Sequence, residues 1–426
     1  MAPILTNQKI SVAKLLHFLS LHSFFSNTYM KYRLFAVLFL ITSLMSSCSV
    51  LRGLRADGVN GPGIYSFEER LVDTIARGTE AFRFAESDKY AAWLDTLHFY
   101  TEGRIKEPIT LVEAIEKTSV SQGVIIIRND TIVFEKYWGS MSPERLGTVF
   151  SISKSVTSLL CGIAVDEGYI KSIDDPVTDY IPELRKKDPR WQRLTVRHLL
   201  DMRSGLDFDD SYYFHIKGFK RVLAISRLNY GHNVMKQVHH QKFRCEPGTE
   251  HFYESMTSQI LGIVIERATG VPFAQYLSDK VWKPLQMESN AVITLDSRRH
   301  RVPQSFGGIS MTTRDLAKIG RLYLNGGVWD GKRIVSEEWI RQSTAYDTSN
   351  EGYHFNWYNL SYVGEPKPEH PGFYALGIKM QVLYANPDLN LIMVRIGNGS
   401  NGSIFHPLLF ETLANKWLIR GDKVSY

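Results

Sequence analysis

Ser151 and Lys154, separated by two residues, head the segment "SISKSVTSLLCGIAVDEG", in which an apolar helical stripe (Val156, Leu159, Leu160, Ile163) follows. If the helix starts at about Ser151, its hydroxyl lies at the positive end of the helix dipole, where developing negative charge is stabilised. Lys154 then falls nearly one turn on, on the same face and within reach of that hydroxyl. A serine needs a neighbouring base to become a good nucleophile, and a lysine held in an apolar site can lose its proton near neutral pH. The same residues also suit a helix cap followed by a solvated lysine. Spacing alone does not choose between these, since Ser11 and Lys14 repeat it near the start of the chain.

Two further segments favour the nucleophile. "EPGTEHFYESMTSQILGIVIERATG" (246–270) puts a Pro-Gly turn and Tyr253-Glu254-Ser255 just before a helical pattern, and "RHLLDMRSGL" (197–206) follows "DDPVTDYIPEL" (174–184). With "GGISMTTRDLAKIGRLYLNGGVWDGKRIVSEEWI" (307–340), their order along the chain resembles the β-lactamase-related serine hydrolases, which include class C β-lactamases, D-alanyl-D-alanine peptidases and esterases. The Tyr-x-Ser form, together with "FYALGIKMQ" (373–381), is most similar to the 6-aminohexanoate-dimer hydrolase type. The resemblance runs from about residue 120 to 420.

It implies Ser151 as the acylated nucleophile, Lys154 as the group that takes its proton, and Tyr253 as the relay to the leaving group and from the attacking water. Acyl transfer needs two preorganised donors at the developing oxyanion, and the resemblance implies the backbone N–H groups of Ser151 and Ile378. It also implies substrate contacts from Tyr212 and Trp357, although large aromatics are usually core. Two positions depart from the lactamase pattern. Lys379-Met380-Gln381 stands where those enzymes carry Lys-Thr-Gly or Lys-Ser-Gly, and methionine cannot donate the hydrogen bond that holds a substrate carboxylate. Lys379 can still pair with an anionic group. Ser255 replaces an asparagine and offers a shorter polar arm.

The elements that must position these groups are legible in outline. Val124 to Ile127, an Asn129-Asp130 turn and Thr131 to Tyr137 read as a β-hairpin, with a short helix before it. A second hairpin is expected from Lys379 to Tyr384, through Asn386-Pro387-Asp388, to Leu389 to Ile396. Ile260, Leu261, Val264 and Ala268 form a helical stripe ending at Gly270, and Thr312 with Asp315 starts another helix in a capping box, stopping at Gly326-Gly327. A last helix is expected around Ile404 to Leu418. Hairpins at both ends with helices between them argue for α+β: an antiparallel sheet flanked by helices, with an inserted helical region.

Composition narrows the class. The chain has 426 residues, 44% of them apolar, enough for a full core. Residues 1–47 contribute four basic groups and no acidic one to totals of 50 and 44, so the remainder is nearly neutral and carries no footprint for nucleic acid. "MKYRLFAVLFLITSLMSSCS" (30–49) has a basic start, an apolar run from Leu34 to Met45 too short to span a bilayer, and small residues before a cysteine. It is similar to a lipoprotein leader, which implies export, lipidation at Cys48 and a membrane anchor facing the periplasm or cell exterior. The organisation expected is a presequence over 1–48, a tether and N-terminal extension over 49–106, and the hydrolase domain over 107–426.

Cys161 and Cys245 make no disulfide framework and no zinc spacing, so neither metal nor cofactor is expected. "GGVWDGKR" (326–333) lacks the Ser or Thr of a phosphate loop and reads as a turn; His239-His240 reads as surface or loop residues and not as ligands. Three readings remain: a serine amidase or esterase on small or peptide-like substrates, a cell-wall peptidase or β-lactamase, and a binding module without catalysis. The Lys379-Met380-Gln381 strand counts against the second, the complete Ser, Lys and Tyr set counts against the third, and only the two enzyme readings require an acyl-enzyme at Ser151.

Overall fold

The computed structural model describes residues 48–58, 61–99, 108–116, 119–209, 218–346, 349–359, 372–400 and 406–420. The leader at 30–47 and Tyr212 lie outside them.

The chain opens with helix α1 (Cys48–Asp57), strands β1 (Val72–Ile75) and β2 (Ala85–Glu86), helix α2 (Ala91–Thr96), the ribbon β3 (His98–Phe99) and β4 (Ile109–Thr110), and helix α3 (Leu111–Glu116). Strands β5 (Ser119–Arg128), β6 (Thr131–Tyr137) and β7 (Gly147–Thr148) lead into helix α4 (Ile152–Asp166). A largely helical region follows, with α5 (Val196–Leu200), α6 (Gly218–Tyr230), α7 (Val234–His239), α8 (Ser255–Thr269) and α9 (Phe273–Leu277). Then come β8 (Ala291–Thr294), β9 (Ile309–Met311), α10 (Thr313–Leu324), the ribbon β10 (Val328–Trp329) and β11 (Lys332–Arg333), and α11 (Glu337–Thr344). Strands β12 (Tyr353–His354), β13 (Trp357–Tyr358), β14 (Phe373–Gly377), β15 (Gln381–Asn386) and β16 (Leu391–Ser400) precede helix α12 (His406–Ile419).

Eight strands form the main sheet in the order β12-β13-β14-β15-β16-β5-β6-β2, antiparallel throughout except for the short parallel edge strand β2. Period-two alternation splits its side chains between two cores. Ile125, Ile127, Ile392 and Val394 face the helices that carry the site, while Val124, Ile126, Leu391 and Met393 pack with Phe410, Leu413 and Trp417 of α12. Burial on both faces explains the unbroken apolar run Val124 to Ile127. A second sheet, β1-β8-β9-β7, sits beside the start of α4.

The expected α+β architecture is present. The first hairpin turns at Asn129 and Asp130, both with positive φ, which asparagine and aspartate tolerate best after glycine. Several readings need correction. The second hairpin begins at Gln381, because Ile378, Lys379 and Met380 form the tight turn joining β14 to β15, with φ of +62° at Lys379 and +61° at Met380. Helix α4 has no single stripe: every residue from Ile152 to Ala164 is buried, because the helix is enclosed on all sides. The box at α10 is half made. Thr312 accepts the Asp315 N–H at 3.1 Å, but the Asp315 carboxylate turns to the amides of Glu288 and Ser289. The stretch 49–106 is no loose tether over its described residues: α1 packs on α6, and β1 pairs with β8.

Candidate active site

Helix α4 starts at the bottom of a cavity of about 330 Å³. Phe150, buried and at φ +47°, turns the chain sharply between β7 and the helix, a conformation costing roughly 1–2 kcal/mol for a residue with a Cβ. That turn brings Ser151 to the N-cap position with its side chain facing the cavity. Its hydroxyl makes no capping hydrogen bond. Instead it accepts one at 2.8 Å from the Lys154 ammonium, which also donates to the Phe306 carbonyl at 2.9 Å. Lys154 is 1% exposed. The Ser-x-x-Lys spacing therefore joins the two side chains, as the one-turn separation requires.

Tyr253 enters from the extended segment before α8, and its ring centroid lies 5.1 Å from Lys154 Nζ. Tyr353 packs edge-on against that ring at 5.8 Å, and its own hydroxyl is pushed well above its ordinary pKa by burial and then by the nearby Tyr253. Ser255, the first residue of α8, also borders the cavity. Lys154 is fixed from behind as well, since the Asn356 amide donates to its carbonyl at 3.3 Å and Ser155 donates to the Asn356 carbonyl at 2.6 Å.

Ile378 reaches the same cavity from the β14 to β15 turn. Gly377 permits this approach: a Cβ there would stand 2.5 Å from the Val149 carbonyl oxygen, so only glycine lets the strand end lie this close to the start of α4. Neither the Ser151 nor the Ile378 amide donates to a backbone acceptor among the described residues, and both residues line the cavity. The turn is braced from below. Gln381 donates to the Ile378 carbonyl at 3.1 Å and exchanges hydrogen bonds with Gly397, and the buried Arg395 guanidinium donates to the carbonyls of Lys379, Met380 and Gly399. Nothing in the sequence marks Arg395, which lies 15 residues or more from each of the first two partners.

Two expected contacts are placed elsewhere. Trp357 is wholly buried beneath the cavity side of the sheet, its ring 4.4 Å from Tyr323 and 5.4 Å from Phe373, because β13 turns that face toward α10. It is a core residue. Lys379 is absent from the cavity wall: the tight turn directs it to Asn398 Oδ1 at 3.4 Å, and burial draws its pKa below the ordinary lysine value. Among the described residues no cluster of His, Cys, Asp or Glu could hold a metal ion, and no helix is long and apolar enough to cross a membrane.

Comparisons with known proteins agree with this geometry. The beta-lactamase family matches residues 111–408. The 6-aminohexanoate-dimer hydrolase of Paenarthrobacter ureafaciens is 27% identical over 299 residues, covering 68% of this chain and 75% of that protein. Esterase EstB of Burkholderia gladioli is 27% identical over 207 residues, 45% of this chain and 52% of that protein. Among solved structures, one assigned as a 6-aminohexanoate-dimer hydrolase from Bacillus anthracis superposes with a TM-score of 0.72 at 19% identity, covering 86% of this chain and 95% of that one. A family VIII carboxylesterase follows at 0.54 and 18%, covering 71% and 94%. With the match spanning residues 111–408, a stretch that holds Ser151, Lys154, Tyr253 and the Ile378 turn, the chain belongs to the beta-lactamase family.

Proposed function

We propose that this protein is a serine hydrolase that cleaves ester or amide bonds of small or peptide-like substrates through an acyl-enzyme on Ser151. The observation that carries the reading is the 2.8 Å contact between the Ser151 hydroxyl, which lines the cavity, and the buried Lys154 amine. Lys154, in its neutral form, takes the hydroxyl proton as Ser151 Oγ bonds to the substrate carbonyl carbon. The carbonyl oxygen becomes an oxyanion held by the Ser151 and Ile378 amides, at the positive end of α4. Collapse breaks the bond to the leaving group, which takes a proton relayed through Tyr253. Water then attacks the acyl-enzyme with its proton passing back along the same route, and the free acid leaves. Related proteins whose names include hydrolase and esterase support the reaction class.

A cell-wall peptidase or β-lactamase role has less support, because the terminal motif lacks a hydroxyl and Lys379 is turned toward Asn398. Export and lipidation at Cys48 remain part of the proposal, supported by the leader pattern alone. A labelled fatty acid should enter the wild-type chain in bacteria and not a Cys48→Ala chain.

Intact mass after brief exposure to p-nitrophenyl acetate tests the nucleophile. An acetyl adduct should map to Ser151 and vanish in Ser151→Ala. Absence of any adduct from the folded wild type would leave a binding module as the better reading.

A further inference from the structure

The family match begins at residue 111, yet much of the wall of the cavity that Ser151 lines comes from residues 50–70. Val50, Gly53 and Leu54 of α1 border it directly, joined by Phe67 and Arg70 from the segment that follows. Two features hold α1 in this place. Gly53 lies flat on Tyr230 of α6, where a Cβ would stand 2.8 Å from the ring. At the other end the Asp57 carboxylate, whose side chain is 1% exposed, receives hydrogen bonds from both Arg70 and Tyr230, and the Arg70 guanidinium stacks 4.8 Å from the Tyr230 ring. Leu54, 37% exposed, is left at the cavity mouth.

The chemistry of this wall restricts what fits. Its α1 face is aliphatic, and Phe150, Ile225 and Phe306 continue the apolar lining beyond it. Among the described lining residues Arg70 alone is charged, and Asp57 already neutralises it; Lys154 lies outside the lining, buried and bonded to the Ser151 hydroxyl and the Phe306 carbonyl. A substrate carboxylate or ammonium carried into this space would lose its hydration without finding an opposite charge, whereas an aliphatic chain would exchange water for Leu54 and Val50.

We propose that α1, outside the matched family region, is the specificity wall of the site, and that it selects neutral esters or amides carrying an aliphatic group on one side of the scissile carbonyl. This rests on Ser151 being the nucleophile.

The test compares p-nitrophenyl acetate, butyrate and octanoate, and ethyl, butyl and octyl acetates, on the full chain and its variants. Each methylene placed against the wall should raise kcat/KM about 4-fold until the cavity is filled. In Leu54→Ala combined with Val50→Ala, the preference for the long substrate over the short one should fall about 10-fold or more in whichever series shows it. Arg55→Ala, an exposed change on the same helix, should keep the wild-type profile. A p-nitrophenyl monoester of a dicarboxylic acid as long as octanoate should react more slowly than octanoate.

Adducts on Ser151 with a length profile that ignores Leu54 and Val50 in both series would overturn the wall while leaving the nucleophile intact. Faster reaction of the anionic ester would overturn the neutral class. Failure of every ester to acylate Ser151 would remove the hydrolase reading, and the wall with it.

Discussion

Arg395 donates to the carbonyl of Lys379 at 3.1 Å and to that of Met380, so a buried guanidinium on β16 holds the turn that carries Ile378. Burial lowers its pKa from the ordinary arginine value, and its bonds to Ser121, Lys379, Met380 and Gly399 compensate the charged form. Replacing it with methionine leaves several carbonyls without donors. Arg395→Met should therefore cost on the order of 2–4 kcal/mol of stability. In the folded fraction kcat should fall on the order of 10²-fold, the loss of one oxyanion donor, with KM changed little. A large rise in KM at constant kcat would show that the turn binds substrate and does not serve the oxyanion.

Gly377 sits where its Cβ would press on the Val149 carbonyl at 2.5 Å. Gly377→Ala must separate the Ile378 turn from the start of α4. The expected result is a loss of about 1–3 kcal/mol in urea unfolding and at least a 10-fold lower acylation rate, measured by the p-nitrophenolate burst. A variant that acylates at the wild-type rate would place the oxyanion donor elsewhere.

Tyr253→Phe removes the hydroxyl and keeps the ring that lies by Lys154 and that Tyr353 packs against. If Tyr253 relays protons, turnover drops about 10² to 10⁴-fold while thermal stability stays close to wild type. An unchanged rate sinks the relay. Met380→Thr in the otherwise wild-type chain restores a hydroxyl to the terminal motif, and a clear gain in penicillin hydrolysis would support the carboxylate argument.

Trp357 is packed between Tyr323 and Phe373 with no exposed surface. Trp357→Phe should destabilise the fold by about 1–3 kcal/mol and leave KM for small esters unchanged. A KM shift without loss of stability would return this residue to the substrate site.

Glu266 on α8 accepts the Phe273 N–H at 2.9 Å, and burial pushes its pKa from 4.5 up to about 7. An acid with a raised folded pKa binds its proton more tightly in the folded state, so stability falls as pH rises from about 4.5 through about 7. The loss is on the order of 2 kcal/mol after allowance for partial exposure. Glu266→Gln keeps the acceptor for Phe273 and removes the titration. Urea unfolding of the two proteins should converge near pH 5 and diverge by pH 8, with the glutamine form more stable. Parallel curves would mean that Glu266 is ionised throughout.

The sequence by itself determined the local pieces of this protein: the hairpin through Asn129 and Asp130, the α8 stop at Gly270, and a serine and lysine one helical turn apart. These depend on residues close in the chain, through backbone preference and helix pitch, so their spacing could be read directly. The candidate nucleophile and base were legible in the same way, whereas the tyrosine relay was implied by the resemblance of its motif to the family. Three things were decided only by the tertiary structure. Trp357 faces α10 and not the cavity, Arg395 braces a turn more than a dozen residues away in sequence, and the segment after Cys48 closes the site through Gly53 on Tyr230 and Asp57 with Arg70. Each depends on which surfaces meet after folding, and contacts between residues distant in the chain leave no periodic trace in it.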